Sequence, residues 1–543
     1  MSDLDALLEA AEPIDAREVG SLVERLMQRR QVGGARAADR RAIDPRALAA
    51  LSIRGVTQDS RRVAPGMLFV AIAGAHVDGH DRVAEAAELG AAASLVEHAV
   101  DVDLPQLVVR STRVSLAETA AWWYGDPSHE LAVVGITGTD GKTTTAFLAA
   151  AALDAAGLRA GLLGTVATGI GGERWPNAGH VTTPEAPELQ RLLRAMVRAG
   201  DRSAVVETTS HGLALRRVDA IAYDAAILTN ITHEHLELHG TWEAYRNAKL
   251  SLFERLAAGV ANPVKERPKV AIVNADDPSA GLFAGVAQEA GARVVTYGTD
   301  PGADIRATRV EEDLAGLVVD YVTAAGGGRV RVKLAGRFNV HNALAVVALG
   351  EAWELDAAAV RAGIESVIAV PGRMERIDAG QPFQVVVDYA HSPASLALVL
   401  DLLAPLAAAR GGGLIAVFGS AGERDVDKRA AMGRIAAERC RLVVVTDEDP
   451  RGEDRYAILD AIAAGAESAG LRRGIELLLI ADRRAAVAAA LERARPGDVV
   501  LLAGKGHETS IIGPDGAVPW DERSVAREEL AALGHQGPIG ERS

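Results

Sequence analysis

A phosphate-binding loop is indicated by residues 135–145, which read GITGTDGKTTT. The apolar run Leu131–Val134 before them predicts a strand, and the alanine-rich run after them predicts a helix. Glycines let the backbone approach phosphate oxygens, while a lysine supplies positive charge and a threonine supplies a hydroxyl ligand for Mg²⁺. Ile136 stands where the usual pattern has its first glycine. The sequence nevertheless predicts a nucleotide site formed by Gly138, Thr139, Asp140, Gly141, Lys142, Thr143 and Thr144.

Polar residues follow several other apolar runs, which is where ligands collect in parallel α/β sheets. Glu207 ends the run SAVVE, Asn230 comes directly after AAILT, and Asp276 and Asp277 follow KVAIVN. Because Mg²⁺ prefers oxygen ligands and substrate phosphates, we expect Glu207 to hold the same metal ion as Thr143.

Three histidines, His233, His235 and His239, lie close together after the run AAILT. They resemble zinc ligands, but no second group of cysteine or histidine completes the spacing of a four-ligand site. The residues alone leave two reactions open. One is nucleotide hydrolysis that drives motion, and the other is transfer of a γ-phosphoryl group to an acceptor that a nucleophile then captures.

The elements that position these residues belong to a chain of 543 residues, for which we expect three domains. A net charge of −15 argues against a nucleic-acid surface. A single cysteine, Cys440, rules out an internal disulfide and agrees with a reducing compartment. No apolar run is long enough for a membrane span, and no export signal is visible, so we expect a cytoplasmic protein without a membrane partner.

Strand-like runs that alternate with helical runs predict an α/β protein with parallel sheets. We expect a helical or partly disordered extension over residues 1–50 and a small α/β domain over 51–128. A central P-loop domain with a parallel sheet is predicted over 129–369, and a Rossmann-like domain over 370–543.

These residues, with many motifs between about residues 55 and 530, resemble the Mur ligase family. The matching segments are DSRRVAPGMLFVAIAGAHVDGH from Asp59, TTPE from Thr182, ETTSHGLALRRV from Glu207, TNITHEHLELHGTWEAYRNAKLSLF from Thr229, NADDP from Asn274, LAGRFNVHNALA from Leu334, PGRMERI from Pro371, DYAHSP from Asp388, GSAGERDVDKR from Gly419, EDPR from Glu448 and GKGHE from Gly504.

The resemblance implies the three-domain architecture of that family and an ATP-dependent amide ligase. It is strongest to the members that add the third amino acid of the peptidoglycan stem peptide to UDP-MurNAc-L-Ala-D-Glu through an acyl phosphate. It favours meso-diaminopimelate as that amino acid and leaves L-lysine and L-ornithine open. Another Mur-type step and a catalytically inactive nucleotide-binding paralogue also stay open. The partners implied are small molecules, and we expect a monomer.

The resemblance also assigns residues to the two nucleotide-linked substrates. It adds Asn339 and Asn342 to the ATP site. It assigns to the first domain and its neighbouring segments the UDP-substrate contacts Ser60, Ala75, His76, Val77, Thr182, Thr183, Thr209, Leu215 and Arg217. Leu215 stands where relatives often have a glutamine, so that contact departs from the family pattern.

Two Mg²⁺ ions and a modified lysine are further implications of the resemblance. It gives metal roles to Thr143, Glu207, His235 and Lys249, with Lys249 carbamylated to N6-carboxylysine. Carbamylation turns a cation into an oxygen ligand on a long stem. The residue type alone would instead suggest that Lys249 is an exposed lysine. With Lys142, three of these residues, Glu207, His235 and Lys249, form the expected catalytic set.

The third amino acid is expected to contact Arg424, Glu448, Asp449, Pro450, Arg451, Gly504 and Glu508. Diaminopimelate-adding members carry Asp-Asn-Pro-Arg where this chain has EDPR, so Arg451 is kept and the two preceding positions change. An arginine can pair with a distal carboxylate through two hydrogen bonds, whereas the added acidity would suit a substrate that ends in an ammonium group.

Overall fold

A computed structural model describes residues 3–74, 77–177, 181–232, 239–257, 265, 267–313, 316–423 and 425–535. The chain divides into two compact units. The first comprises residues 1–311, 318–332 and 338–366, and the second comprises 312–317, 333–337 and 367–543. Both are α/β structures built on parallel sheets, as the alternation of strand-like and helical runs predicted.

The first part of unit one is a six-stranded sheet of order β3-β2-β8-β7-β6-β5. Its strands β5 to β8 are parallel, and β2 and β3 extend it in antiparallel fashion. The elements are β1 Arg17–Glu18, β2 Val32–Arg36, β3 Ala42–Ile43, β4 Ser52–Ile53, β5 Val56–Thr57, β6 Leu68–Val70, β7 Ala93–Val96 and β8 Gln106–Val109, with helices α1 Asp3–Ala11, α2 Gly20–Gln28, α3 Val83–Glu88 and α4 Thr112–Trp123.

The structure differs from the expectation of a separate extension over residues 1–50. Strand β2 pairs with β8, and Leu22, Val23 and Leu26 of α2 are buried in the core of this sheet. Helix α1 packs instead on the central part of the unit, where Ala11 is fully buried. The apolar spacing of α2 therefore reports a core-facing helix of the first domain.

The central sheet of unit one has eleven strands in the order β12-β11-β10-β13-β9-β14-β15-β16-β17-β18-β19. Strands β10, β13, β9, β14, β15 and β16 are parallel neighbours, so their carboxyl ends share one edge. The strands are β9 Ala132–Thr137, β10 Ala160–Leu163, β11 Ala167–Ile170, β12 Glu173–Pro176, β13 Ser203–Glu207, β14 Ala225–Leu228, β15 Val270–Asn274, β16 Arg293–Gly298, β17 Ile305–Asp313, β18 Gly316–Thr323 and β19 Gly326–Val332.

Helices cover this sheet and complete its core. They are α5 Lys142–Ala155, α6 Ala186–Ala199, α7 Ser210–Ala214, α8 Trp242–Glu254, α9 Ala280–Glu289, α10 Asn339–Ala352 and α11 Ala357–Ser366. Helix α11 lies so close to α5 that a Cβ on Gly363 would be 2.4 Å from the carbonyl oxygen of Ala151. Glycine at this position allows the two backbones to approach, which fixes the helix that carries the phosphate-binding loop at its start.

Unit two contains a six-stranded sheet of order β20-β21-β25-β22-β23-β24, in which only the edge strand β20 is antiparallel. Its elements are β20 Glu375–Ile377, β21 Gln384–Asp388, β22 Leu414–Phe418, β23 Leu442–Val445, β24 Leu477–Leu479, β25 Val499–Ala503, β26 Ser510–Gly513 and β27 Gly516–Pro519, with α12 Pro393–Ala408, α13 Asp427–Ala437, α14 Arg455–Ser468, α15 Arg483–Glu492 and α16 Glu522–Ala532. This doubly covered parallel sheet is the Rossmann-like domain that the sequence predicted.

Cys440 is buried in the core of unit two at 6% exposure, and burial raises the pKa of its thiol to about 12. It therefore packs as a small apolar residue. Every helix within the described ranges is too short or too polar to cross a bilayer.

Candidate active site

The loop between β9 and α5 is shaped for close approach of a ligand to the backbone. Gly141 precedes α5 with a φ of 81°, and Gly138 has a φ of 150°. A Cβ on Gly138 would lie 1.8 Å from Thr229 Oγ1, and one on Gly141 would lie 2.5 Å from Asn342 Oδ1. Only glycine fits both positions, and the loop delivers the N-terminus of a 14-residue helix toward whatever it binds.

Residues at the end of β14 hold this loop in place. Asn230 accepts the N–H of Thr139 through its carbonyl oxygen at 2.7 Å and the N–H of Asp140 through Oδ1 at 3.0 Å. Thr229 Oγ1 donates to the carbonyl of Asp140 at 2.6 Å. The side chain of Asp140 is exposed, whereas Thr144 is buried in the first turn of α5. The loop is thus braced by the neighbouring parallel strand.

Two lysines converge on one carbonyl oxygen of the loop. Lys142 Nζ lies 3.0 Å from the oxygen of Gly138 and 2.6 Å from that of Thr139. Lys249 Nζ, on α8, lies 2.6 Å from the same Gly138 oxygen. Lys249 is 1% exposed, and its ammonium lies 4.4 Å from the centre of the Tyr245 ring. The interpretation of Lys249 as an exposed lysine is therefore wrong.

Glu207 and Thr143 meet at the carboxyl ends of neighbouring strands β13 and β9. Thr143 Oγ1 donates to Glu207 Oε2 at 2.9 Å. Thr165 donates to Glu207 from its backbone N–H and from its hydroxyl, both at 2.9 Å. Glu207 is fully buried, so its carboxylate is oriented by hydroxyl and amide groups within the site. These oxygens form the donor set that Mg²⁺ prefers.

Asn339 and Asn342 reach the same helix from the start of α10. Thr145 Oγ1 donates to Asn342 Oδ1 at 3.1 Å, and Asn342 Nδ2 donates to Asn339 Oδ1 at 2.8 Å. Both asparagines are buried. Asn342 Oδ1 thus lies against both the first turn of α5 and Gly141 of the phosphate-binding loop.

The expected muramoyl-peptide residues form one hydrogen-bonded cluster beside Glu207. Thr183 Oγ1 lies 2.9 Å from the carbonyl of Glu207 and 3.0 Å from Thr209 Oγ1. Arg217 donates to the carbonyl of Thr183 at 2.9 Å and forms an ion pair with Glu185. Arg217 Nε is buried without a hydrogen-bond partner among the described residues. A buried guanidinium N–H of this kind calls for an acceptor, such as a water molecule or a ligand.

Thr182 and Leu215 lie at the margins of this cluster. The hydroxyl of Thr182 is 2.9 Å from that of Thr165, which links the cluster to Glu207. Leu215 is the half-buried residue directly after α7, and its backbone N–H donates to the carbonyl of His211.

Ser60 and Val77 lie on the loops that follow strands β5 and β6 of the six-stranded sheet. These strands are parallel neighbours, so both loops leave the same edge. Ser60 is half-buried at the start of a short 3-10 helix, and Val77 is 54% exposed. Ala75 and His76, which were predicted to join them, lie outside the described residues, as do His235 and Arg424.

The predicted amino-acid residues lie at the carboxyl edge of the sheet of unit two. Lys505 Nζ bonds to Asp449 Oδ1 at 2.8 Å and forms an ion pair with Glu508. Asp449 Oδ1 also accepts the N–H of Ile512 at 2.9 Å. Lys505 is fully buried, so the acidity that Asp449 adds is balanced within the protein.

Two further residues of this edge, Glu448 and Arg451, carry polar atoms that the described residues leave unpaired. Glu448 Oε2 and Arg451 Nε are buried and have no hydrogen-bond partner among the described residues. Burial raises the pKa of Glu448, against the opposing effect of Lys428 and Lys505. Arg451 adopts a φ of 55° directly after Pro450, and Gly504, with a φ of 98°, faces the Glu448 carboxyl. The edge therefore offers one acid and one guanidinium N–H to a ligand that carries both charges.

Family models match three stretches of the chain, in order. Residues 52–121 match the Mur ligase family catalytic domain, residues 136–350 the Mur ligase middle domain, and residues 372–506 the Mur ligase glutamate ligase domain.

This chain belongs to the Mur ligase family.

Several named members of the Mur ligase family are similar to this chain in sequence or in structure. A UDP-N-acetylmuramyl-tripeptide synthetase from Roseiflexus sp. (strain RS-1) is 49% identical over 89% of this chain and 96% of its own length. A solved UDP-N-acetylmuramoyl-L-alanyl-D-glutamate--2,6-diaminopimelate ligase is 31% identical, with a TM-score of 0.61 over 89% of this chain and 96% of that one. A MurF ligase from Thermotoga maritima in complex with ADP shares the fold, with a TM-score of 0.56 at 20% identity over 88% and 96% of the two chains. Through its membership of this family and its relatives, the present chain is an ATP-dependent ligase.

Two residues of this Mur ligase site were missed by sequence reasoning. Tyr245 OH lies 3.0 Å from Thr139 Oγ1, and Thr165 supplies two hydrogen bonds to Glu207. Tyr245 precedes Lys249 by one helical turn, a spacing that puts both on one face of α8. Thr165 follows β10, the neighbour of β13, so its position after a strand of the same edge was the available signal.

Proposed function

We propose that this Mur ligase joins a diamino acid to the γ-carboxylate of D-glutamate in UDP-MurNAc-L-Ala-D-Glu, at the expense of ATP. The observation that carries the proposal is the pairing of Thr143 with Glu207 at the end of the phosphate-binding loop, 2.9 Å apart. The names of the similar tripeptide synthetase and diaminopimelate ligase support the choice of substrate.

Activation of the carboxylate is the first step, because a carboxylate alone is a poor electrophile. The γ-phosphoryl group of ATP passes to the glutamate oxygen and gives an acyl phosphate and ADP. Lys142 on its loop and the N-terminal amides of α5 stabilise the negative charge on the phosphoryl oxygens. The amine of the third amino acid then attacks the acyl carbon, and phosphate leaves as the amide forms.

Magnesium fits the oxygen groups at this edge of the sheet. Thr143 and Glu207 would hold one Mg²⁺ ion, and His235 with modified Lys249 would hold the second. Magnesium ions neutralise the charge of the phosphate oxygens during transfer. Thr165 keeps the Glu207 carboxylate oriented for this role.

Carbamylation of Lys249 is supported by the crowding of positive charge on the loop. The ammonium groups of Lys142 and Lys249 both lie within 3.0 Å of the Gly138 oxygen. Two like charges so close together repel each other. The neutral amine of Lys249 and CO₂ give a carbamate and one proton. The negative carbamate then attracts Lys142, whereas the ammonium group repels it. We therefore propose N6-carboxylysine at position 249.

The diamino acid is proposed to bind at the edge of unit two, with meso-diaminopimelate favoured. Arg451 offers a guanidinium to a distal carboxylate, and Glu448 offers an acid to an ammonium group. The change of Asn to Asp at position 449 adds a negative charge, but the ammonium group of Lys505 pairs with it. L-lysine and L-ornithine lack the distal carboxylate that Arg451 would pair with.

The test is ADP release by the purified protein on UDP-MurNAc-L-Ala-D-Glu, with meso-diaminopimelate, L-lysine and L-ornithine assayed in parallel. We expect diaminopimelate to give the highest kcat/KM. Replacement of Lys142 by Ala should lower the rate at least ~100-fold with every amino acid, since it removes a charge from the transition state. Lys142→Arg, which keeps the charge, is the matched control.

The rival functions give different results in the same assay. A ligase for another Mur step would release ADP only with a different UDP-muramoyl substrate, and an inactive paralogue would release none with any substrate. Activity confined to lysine or ornithine would show that Arg451 does not select the amino acid.

A further inference from the structure

Arg483 is a buried charged residue outside every predicted site. It opens α15 and is fully buried together with Glu522, which opens α16. Arg483 Nε and Nη2 donate to the two carboxylate oxygens of Glu522, both at 2.8 Å. Trp520 Nε1 donates to the same carboxylate at 2.6 Å. The geometry is a two-pronged ion pair with its orientation fixed on both sides.

The remaining hydrogen bonds of Arg483 go to two backbone carbonyls. Nη1 donates to Asp447 at 2.9 Å, and Nη2 donates to Ala503 at 2.7 Å. Asp447 directly precedes Glu448, the first residue of EDPR, and Ala503 directly precedes Gly504, the first residue of GKGHE. One guanidinium therefore binds the last carbonyl before each of the two amino-acid segments.

Within the described part of the sheet, no ladder of hydrogen bonds joins these two segments. They leave β23 and β25, which are separated by β22. Their described side-chain link is the bond from Lys505 of GKGHE to Asp449 of EDPR, beyond the strand ends. Arg483 supplies a second link at the strand ends themselves. Two points of attachment fix both the distance and the relative tilt of the segments.

We propose that Arg483 is a positioning residue for the amino-acid site: its guanidinium, held by Glu522, sets the spacing between the EDPR and GKGHE segments. A buried ion pair is weak evidence for stability, because hydrophobic residues of similar volume often replace it at no cost. A charged residue at position 483 has a structural use, because its guanidinium donates to the carbonyls of Asp447 and Ala503. Arg483 acts through Asp447 and Ala503, and the kinetic part of this inference rests on the proposed function.

The test compares Arg483→Met with a matched variant at the opposite edge of the same sheet. Arg441 pairs with the buried Asp498 at 3.1 Å and donates to the carbonyl of Arg493, at the amino ends of the strands. Arg441→Met therefore removes a less buried ion pair of the same sheet without touching either segment. Arg483→Lys keeps the charge but not the four-bond geometry, and Glu522→Gln keeps the shape but not the pairing charge.

The first readout is amide hydrogen exchange of the full-length chain, which does not depend on activity. Exchange over residues 446–452 and 503–509 should rise at least ~10-fold in Arg483→Met and stay at the wild-type rate in Arg441→Met, because only the first variant frees the segments to open locally. Unchanged exchange in both segments, or an equal rise in Arg441→Met, would overturn the proposal. If Arg483→Met does not fold, Arg483→Lys and Glu522→Gln provide the same comparison.

The second readout is the KM for the diamino acid. Arg483→Met should raise this KM at least ~10-fold and leave the KM for ATP unchanged. A small displacement of the groups that orient the diamino acid weakens its binding. Arg483→Lys should recover part of the loss. An equal loss of kcat/KM for the diamino acid and for ATP in both Met variants would indicate a merely structural role. If the wild-type protein releases no ADP, the proposed function fails, and hydrogen exchange alone decides the role of Arg483.

Discussion

Thr143 Oγ1 and Glu207 Oε2 lie 2.9 Å apart, and this hydrogen bond joins the first turn of α5 to the end of β13. The hydroxyl belongs to the phosphate-binding loop and the carboxylate to the neighbouring strand, so both oxygens face one position. We expect this position to hold the metal ion that accompanies ATP.

Replacement of Glu207 by Gln should lower ADP release at least ~100-fold, because the amide keeps the shape of the side chain but not the charge that attracts Mg²⁺. The Mg²⁺ concentration for half-maximal rate should rise. Thr165→Val is the control, since it removes one hydrogen bond to Glu207 and keeps the charge. Wild-type rates in Glu207→Gln would remove the metal role from this residue.

Lys249 should carry a carbamate, which can be observed by ¹³C NMR after equilibration with labelled bicarbonate. We expect a carbamate carbon signal in the wild-type protein and in Lys142→Met, and its absence in Lys249→Met. Lys249→Arg should be inactive, because a guanidinium keeps the positive charge and forms no carbamate. A carbamate signal that persists in Lys249→Met would assign the modification to another amine.

The Glu448 carboxyl should make the stability of the protein depend on pH in a defined direction. Burial raises its pKa, so the folded protein keeps this proton at a pH where the unfolded chain has lost it. The unfolding free energy therefore falls as pH rises from the unfolded pKa of about 4.3 toward the raised value. Glu448→Gln should become more stable relative to wild type across that window, as measured by urea unfolding.

Exposed Glu492 offers the matched control for this experiment, because Glu492→Gln makes the same substitution at the surface. The same Glu448→Gln variant should bind the diamino acid more weakly, so stability and function would change in opposite directions. A stability difference that does not vary with pH would show that Glu448 is not the titrating group.

Replacement of two helical glycines by alanine should change the unfolding free energy in opposite directions. A Cβ on Gly285 in α9 would have no described atom within 4 Å, so Gly285→Ala should raise the unfolding free energy by ~0.5–1 kcal/mol through the unfolded chain. Gly363→Ala should lower it by ~1–3 kcal/mol, because its Cβ would be 2.4 Å from the Ala151 carbonyl. Urea unfolding of both variants measures the difference. A stabilising Gly363→Ala would mean that α11 can move away from α5 freely.

The sequence predicted the parts of this protein that depend on local chemistry. A loop with the composition of residues 138–144 after an apolar run has few structural solutions, so the strand, the turn and the helix were all predictable. Glu207 was predictable as a residue at the end of a strand, because parallel strands bring their carboxyl ends to one edge.

Features that depend on packing between distant segments were not predictable. The burial of Lys249 requires the position of α8 against the loop, which residue type alone does not give. The membership of β2 in the first sheet depends on long-range pairing with β8. Arg483 carries no motif, since its role comes from two backbone carbonyls that any residue types would supply.

The protonated, enclosed thiol of Cys440 makes this chain suited to site-specific labelling. Because it is the sole cysteine, a second one placed on the surface, for example at Tyr456, would react alone with a maleimide dye at neutral pH. A fluorophore there would label the first turn of α14, shortly after EDPR in the chain, without any background substitution.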